Sequence, residues 1–171
     1  MNYRLIFTLF LFLFISEIKC QEIESEKKSF LGFFNFSYSE SNDKIFLKVN
    51  KINKEFLYVS SLSTGLGSND IGLDRGQLGE ERIVKFEKYG NKLLLVQPNQ
   101  KFKAISQNTL ERVSVEEAFA KSVIFGFEIK EFDQDYYLID FTPFLMQDSH
   151  GVSNRLKNLD QGSYILDLTK S

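Results

Sequence analysis

The chain is poor in the residues that most directly carry chemistry. Its 171 residues include one cysteine and one histidine. The cysteine, Cys20, stands at the end of a leader-like segment, so a chain cleaved behind it has no thiol. Disulfides, thiol chemistry and cysteine-bound zinc are then excluded, and the core alone must hold the fold. His150 is the only ready-made imidazole base or ligand. A protein zinc site usually takes three or four side-chain ligands, and one histidine without cysteine would lean wholly on carboxylates. No zinc motif is present. Neither the Gly-x-x-x-x-Gly-Lys phosphate loop nor the Asp-x-Asp-x-Asp-Gly calcium pattern occurs. An excess of basic charge is also missing: 21 Lys and Arg against 23 Asp and Glu give a formal charge of −2. A nucleic-acid partner would call for a clustered basic surface, so none is expected.

What is present begins with a leader. Arg4 supplies a positive start, Leu5 to Ile15 is almost unbroken apolar sequence, and Ser16 to Cys20 is polar, which is the layout of a secretory signal peptide over residues 1–20. The run is shorter than the roughly 20 residues that cross a bilayer, so no membrane contact is expected after its removal. Cleavage after Cys20 gives a secreted or periplasmic protein beginning at Gln21. Lipidation of Cys20 is the alternative, against which Lys19 stands where such signals want a small residue.

Residues 21–29 read as a polar, flexible lead-in, and residues 30–171 as one β-rich domain. With 43% hydrophobic residues and 18 phenylalanines, that domain can bury a substantial core. Phe30 to Tyr38 reads as one strand, Ser39 to Asp43 as a turn, and Ile45, Leu47 and Val49 alternate with polar neighbours as in a strand with one buried face. Glu55 to Leu62, Arg82 to Tyr89 and Lys92 to Gln97 are further strands, the last two joined by Gly90-Asn91, a pair suited to a two-residue hairpin. Phe102 to Ile105 is a short strand. Ser114-Val115-Glu116-Glu117 forms a capping box for a helix over Ser114 to Val123. Phe125 to Phe132 and Tyr136 to Phe141 make another hairpin around Asp133-Gln134-Asp135. Thr142-Pro143 opens a helical turn with Thr142 as N-cap, and Val152 to Leu159 has helical spacing. Gly162 to Leu166 starts one more strand, with Tyr164 to Leu168 as a candidate unpaired edge, after which the chain stops, so the domain is expected to be truncated at its C-terminal end.

The class that results is α+β: a mainly antiparallel, strongly curved sheet of about eight to ten strands, a partial barrel or sandwich, with one capped helix and one or two short helices.

Two places look like sites. Gly65 to Gly76 is rich in glycine, and Asp70 and Asp74 could offer carboxylate oxygens to a hard cation while the glycines let amides approach an anion. The plainer reading, favoured because no diagnostic spacing accompanies it, is an ordered loop in which Arg75 pairs with an aspartate. Asp148-Ser149-His150-Gly151 looks like chemistry, with His150 as a candidate general base. Sequence neighbours rarely serve one another in a triad, however, and a capping or packing histidine is the commoner case. Asn35-Phe36-Ser37 matches a glycosylation sequon, but inside an expected strand.

Phe56 to Ser68, Gly72-Leu73-Asp74-Arg75-Gly76-Gln77, Val84 to Glu87 and Leu94 to Asn99 resemble the N-terminal domain of unknown function of large exported bacterial zinc-dependent metallopeptidases of metzincin-like type. Phe119 to Val123 with Gly126-Phe127, Asp140-Phe141-Thr142, Asp148 to Leu156 and Gln161 to Tyr164 continue the likeness in order. The resemblance implies that zinc is held by a His-Glu-x-x-His helix in a later catalytic domain, which this sequence does not contain. It therefore carries no catalytic or metal-binding residue to any position here and assigns the chain itself no cofactor. It implies a non-catalytic body that packs against, or shapes the cleft of, a catalytic peptidase domain. A free-standing secreted module that binds a peptide, glycan or protein is the alternative. A small hydrolase working through His150 is a third.

Overall fold

The computed structural model describes residues 27–65 and 71–169. The leader with Cys20, most of the lead-in and Asp70 lie outside the described residues. Eight strands form a single antiparallel sheet: β1 Lys27–Phe30, β2 Asn35–Ser39, β3 Lys44–Val49, β4 Phe56–Tyr58, β5 Arg82–Tyr89, β6 Lys92–Gln97, β7 Ser122–Phe132 and β8 Tyr137–Asp140. Among the described residues there are three short helices, α1 Thr109–Ala118, α2 Thr142–Leu145 and α3 Val152–Asn158. The sheet order is β1-β2-β3-β8-β7-β6-β5-β4. The α+β, half-barrel architecture is therefore the one expected.

Strand β7 is the spine. Its first half, Ser122 to Glu128, pairs with β6, and its second half, from Ile129 to Phe132, pairs with β8. Register slips between Leu95 and Val96 on the β6 side and between Ile129 and Glu131 on the β8 side. Each slip inserts an extra residue, and such bulges bend a strand and increase its twist. Two bulges on one 11-residue strand thus curl the sheet.

The concave face carries the core. Leu47, Val49, Val84, Phe86, Leu93, Leu95, Phe127 and Ile139 are buried there together with Phe144 of α2. Phenylalanine rings run across it. Phe34, in the β1–β2 turn, meets Phe56 of β4 at 5.2 Å and Phe86 at 5.5 Å. Phe86 meets Phe127 at 6.1 Å, and Phe127 stacks on Phe141 at 5.4 Å. Since β4 is one edge of the sheet and the β1–β2 hairpin the other, the Phe34–Phe56 contact draws the two ends toward each other.

Several local expectations are corrected. Lys27, Lys28 and Ser29 are already paired in β1, with Ser39, Tyr38 and Ser37, so the lead-in does not extend to residue 29. The run from Phe30 to Tyr38 is two strands, because the amide of Gly32 turns back to donate to Asn35 Oδ1 at 3.3 Å. Helix α1 starts at Thr109, five residues ahead of Ser114. Asn108-x-x-Glu111 is itself a capping pair, with Asn108 Oδ1 accepting from the Leu110 amide at 3.0 Å, and the helix uses this earlier cap. The helix ends at Ala118 because Ser122 to Phe132, rich in β-branched and aromatic residues, is taken by β7. Phe102 to Ile105 forms no strand, since β6 already has β5 and β7 on its two edges; Phe102 stacks on Phe119 at 4.0 Å instead. Glu55 to Leu62 keeps only β4 and a single bridge from Ser61 to Leu78. Gly162 to Leu168 joins no strand. Thr142 is the first helical residue rather than the cap of α2, its hydroxyl accepting from the Ile45 amide at 2.9 Å.

On the convex face one buried charge is held by three partners. Glu87 accepts from Lys121, Lys85 lies 3.0 Å away, and the Tyr89 hydroxyl donates at 3.1 Å. Lys121 also donates to the Tyr89 hydroxyl at 2.8 Å, which ties β5 to the start of β7. Burial pushes the Glu87 carboxyl up, but the bonds from Lys121, Lys85 and Tyr89 outweigh it and hold the group at about 2, below its usual 4.5. A folded pKa below the unfolded one stabilises the fold above the unfolded value, and that contribution is lost as pH falls toward the folded one. Unfolding in urea is therefore expected to become easier between pH 4.5 and about 2. Glu87→Gln should cost about 1–2 kcal/mol at neutral pH and flatten this part of the pH profile; an unchanged profile would show that the cluster contributes nothing.

Candidate functional site around His150

Two segments far apart in sequence meet beside the open end of β4. The first is the glycine-rich connection. Leu62 donates to Gln77 O at 3.0 Å, Gly76 to Leu62 O at 2.7 Å and Gly79 to Ser60 O at 2.8 Å, so the connection folds back along residues 60–62. Leu73 is fully buried and anchors it. Gly65 lies directly on the returning backbone, where a Cβ would fall 2.3 Å from Arg75 N and 2.8 Å from Leu73 O. Only glycine fits so close an approach.

Of the residues singled out in this loop, Asp70 lies outside the described residues. Asp74 uses its carbonyl to accept from Gln77 N at 3.0 Å. Neither Asp74 nor Arg75 makes an ion pair among the described residues, so the aspartate pairing expected of Arg75 is not formed there. The arginine that holds the loop is Arg155 of α3, whose Nη1 donates to Gly72 O at 2.8 Å. No sequence signal marked that role; helical spacing had placed Arg155 on α3 without a partner.

The second segment is Gln147 to Gly151. Asp148 is not oriented toward catalysis: Oδ1 accepts from the Val152 amide at 2.7 Å and Oδ2 from the Ser153 amide at 2.9 Å, so it caps α3. Burial raises its pKa, and the Ser153 and Val152 amides outweigh that and hold the carboxyl below its ordinary range. Gly151, in left-handed conformation at φ 63°, lets the chain enter the helix. No Asp148–Ser149–His150 relay is assembled, since none of the three side chains bonds to another. His150 Nε2 is shielded from solvent and has no hydrogen-bond partner.

Around His150 opens a cleft of about 700 Å³. Tyr58, Leu78, Ile124 and Phe144 give it apolar walls, and Ser60, Arg82 and Arg155 line it with polar groups. Glu80 is occupied by Arg82, at 2.7 Å. Among the described residues no group of three His, Cys, Asp or Glu side chains is placed to hold a metal ion, and no helix is long and apolar enough to cross a membrane.

The loop geometry generates a prediction. Gly65→Ala should destabilise the domain by about 1–3 kcal/mol, because the returning backbone of Leu73 to Arg75 blocks the methyl. Gly79→Ala, whose Cβ meets the rotatable Ser60 hydroxyl, should cost less. Equal losses in thermal or chemical unfolding would contradict the close approach at Gly65.

Comparison with known proteins matches residues 76–171 to the family described as a domain of unknown function (DUF5117). No curated protein and no solved structure matches. The matched residues include β5 to β8, all three helices and the His150 segment, more than half of the chain, and the chain belongs to the DUF5117 family.

Proposed function

We propose that this chain is a non-catalytic, protein-facing module that packs against the catalytic body of an exported zinc-dependent metallopeptidase. The observation that carries the reading is the segment following α3. Tyr164, Ile165, Leu166 and Leu168 are 59%, 94%, 39% and 62% exposed within five consecutive residues that form neither helix nor strand. One apolar side chain in water is ordinary, whereas a contiguous run of them marks a contact surface. Tyr164, Ile165 and Leu166 also border a groove floored by Leu62, Ile71 and Leu156, so the surface is continuous with the tied loop. The peptidase as partner rests on the resemblance quoted above; the apolar surface fits any protein body of matching shape.

The alternative, a free-standing binding module, is favoured by the cleft around His150, which has the volume and mixed lining of a small-ligand site.

The test is association in trans. Residues 21–171 are mixed with a separately produced catalytic domain from an exported metallopeptidase of the resembled type, and the mass of the mixture is read by analytical ultracentrifugation. A one-to-one complex is expected, weakened at least tenfold by Ile165→Asp combined with Leu168→Asp. The chain alone should cleave no peptide, with or without added zinc. Absence of a complex, indifference to the substitutions, or peptide hydrolysis by the chain alone would each overturn the reading.

A further inference from the structure

Strands β6 and β7 are neighbours whose facing ends are paired, Gln97 with Ser122, yet the chain does not turn tightly between them. It makes an excursion over residues 98–121 that contains α1 and returns to the point it left. All strand pairing among the described residues lies outside the excursion, so the sheet is complete without it.

The excursion also adds little to the core. No residue of α1 is buried. The helix has ten residues, and isolated helices shorter than about 12–15 residues are marginal in water. Glu116 and Glu117 stand at its C-terminal end with no basic residue in the last turn, against the helix dipole. Phe119 stacks on Phe102 of the same excursion, and a cleft of about 760 Å³ lies between Val115 and Phe119 on one side and Lys85 and Glu87 of β5 on the other. Side-chain bonds to the body come from the two ends: Gln100 donates to Glu55 at 3.3 Å, and Lys121 to Glu87 and to Tyr89 Oη.

One stretch within the excursion has no fastening. Asn99 Oδ1 accepts from the Lys101 and Phe102 amides at 3.0 and 3.1 Å, and its Nδ2 donates to Phe102 O at 2.8 Å, which fixes residues 99–102. On the far side Ser106 Oγ accepts from the Asn108 amide at 3.1 Å, and Arg112 donates to Ser106 O at 3.0 Å. Between these brackets the backbone of Lys103, Ala104 and Ile105 makes no hydrogen bond among the described residues. Lys103 is exposed, and Ile105 is fully so. A peptidase bonds to the backbone on both sides of the amide it cuts, so an exposed segment with an unbonded backbone and flanks of low stability is nicked first.

We propose that the Lys103–Ala104 bond is a site of limited proteolysis by endopeptidases that cut after lysine. Hydrolysis adds one water across this amide: the C–N bond breaks, the Lys103 carbonyl carbon gains the hydroxyl and becomes a carboxylate, and the Ala104 nitrogen leaves as an amine that takes up the protons. Lys103 makes no ion pair among the described residues, so its ammonium is free to enter an acidic specificity pocket. Of the other lysines, Lys28, Lys88 and Lys92 lie in strands and Lys157 in α3, while Lys54 stands between β4 and the Asn53 amide, which is bonded to Phe86 O at 2.8 Å. The cut leaves the fold standing. It parts β1 to β6 from β7 and β8, and the β6–β7 and β3–β8 pairings, with the core shared by Phe86 and Phe127, hold the two pieces together. This inference is independent of the peptidase partner, since here the chain is a substrate.

The test treats residues 21–171 with a trace of a lysine-specific serine endopeptidase and follows the products by mass spectrometry. One early cut is expected, giving 21–103 and 104–171, and the fragments should elute together under native conditions and part in urea. Lys103→Gln, an exposed change that the fold tolerates, should slow the first cleavage at least tenfold, whereas Lys101→Gln should leave its rate unchanged. An early cut at another lysine, a Lys103→Gln protein cleaved as fast as its parent, or fragments that separate without denaturant would each overturn the proposal.

Discussion

The contact on which this fold depends is the meeting of Phe34 with Phe56 and Phe86. An eight-stranded sheet whose order begins at β1 and ends at β4 has two free edges, and a free edge is a hazard. Curling the sheet and sealing the ends with aromatic rings removes much of that hazard. It also encloses a core that needs no disulfide. The bulges on β7 supply the bend, and the phenylalanine series supplies the apolar burial that holds it. Ring pairs of this kind contribute about 0.5–1.5 kcal/mol each beyond their buried area, so the series adds materially to a marginal stability.

The surface features follow from that closure. Because β4 is only three residues long, the chain leaves it early and must cross to β5 through a long connection. That connection is fastened by backbone bonds, by buried Leu73, by the close approach at Gly65 and by Arg155 from α3. Arg155 thereby joins the two parts of the chain that border the His150 cleft. A cleft between a glycine-rich connection and a capped turn can be shaped without altering the core. Residues that bind are commonly found on loops held by a rigid scaffold of this sort.

Much of the architecture was legible in the sequence because it is local. The alternation of Ile45, Leu47 and Val49, the Gly90-Asn91 turn, the helical spacing of Val152 to Leu159 and the α+β class all reappear in the structure. What failed was competition between similar local signals. Ser114 and Asn108 both offer a helix cap, and only the contest with β7 for residues 122–132 decided between them. Phe102 to Ile105 has strand composition, yet strand formation needs a vacant edge, which composition cannot reveal. The site was less legible still. His150 stood out because it is unique, whereas Ser60, Gly79 and Arg155 acquire meaning only through distances across the fold. Asp148 looked like a partner for His150 and is a helix cap.

The central claim is that the two ends of the sheet are fastened together, so that edge strand β4 is as stable as the spine. Amide hydrogen exchange on residues 21–171 tests it. The inward-bonded amides of β4 and β2 should exchange only through global unfolding, with protection equal to that of β7, and Phe34→Ala should lower all three together. If β4 exchanges much faster than β7, or if Phe34→Ala frees β4 alone, the ends open independently and the closure described here is wrong.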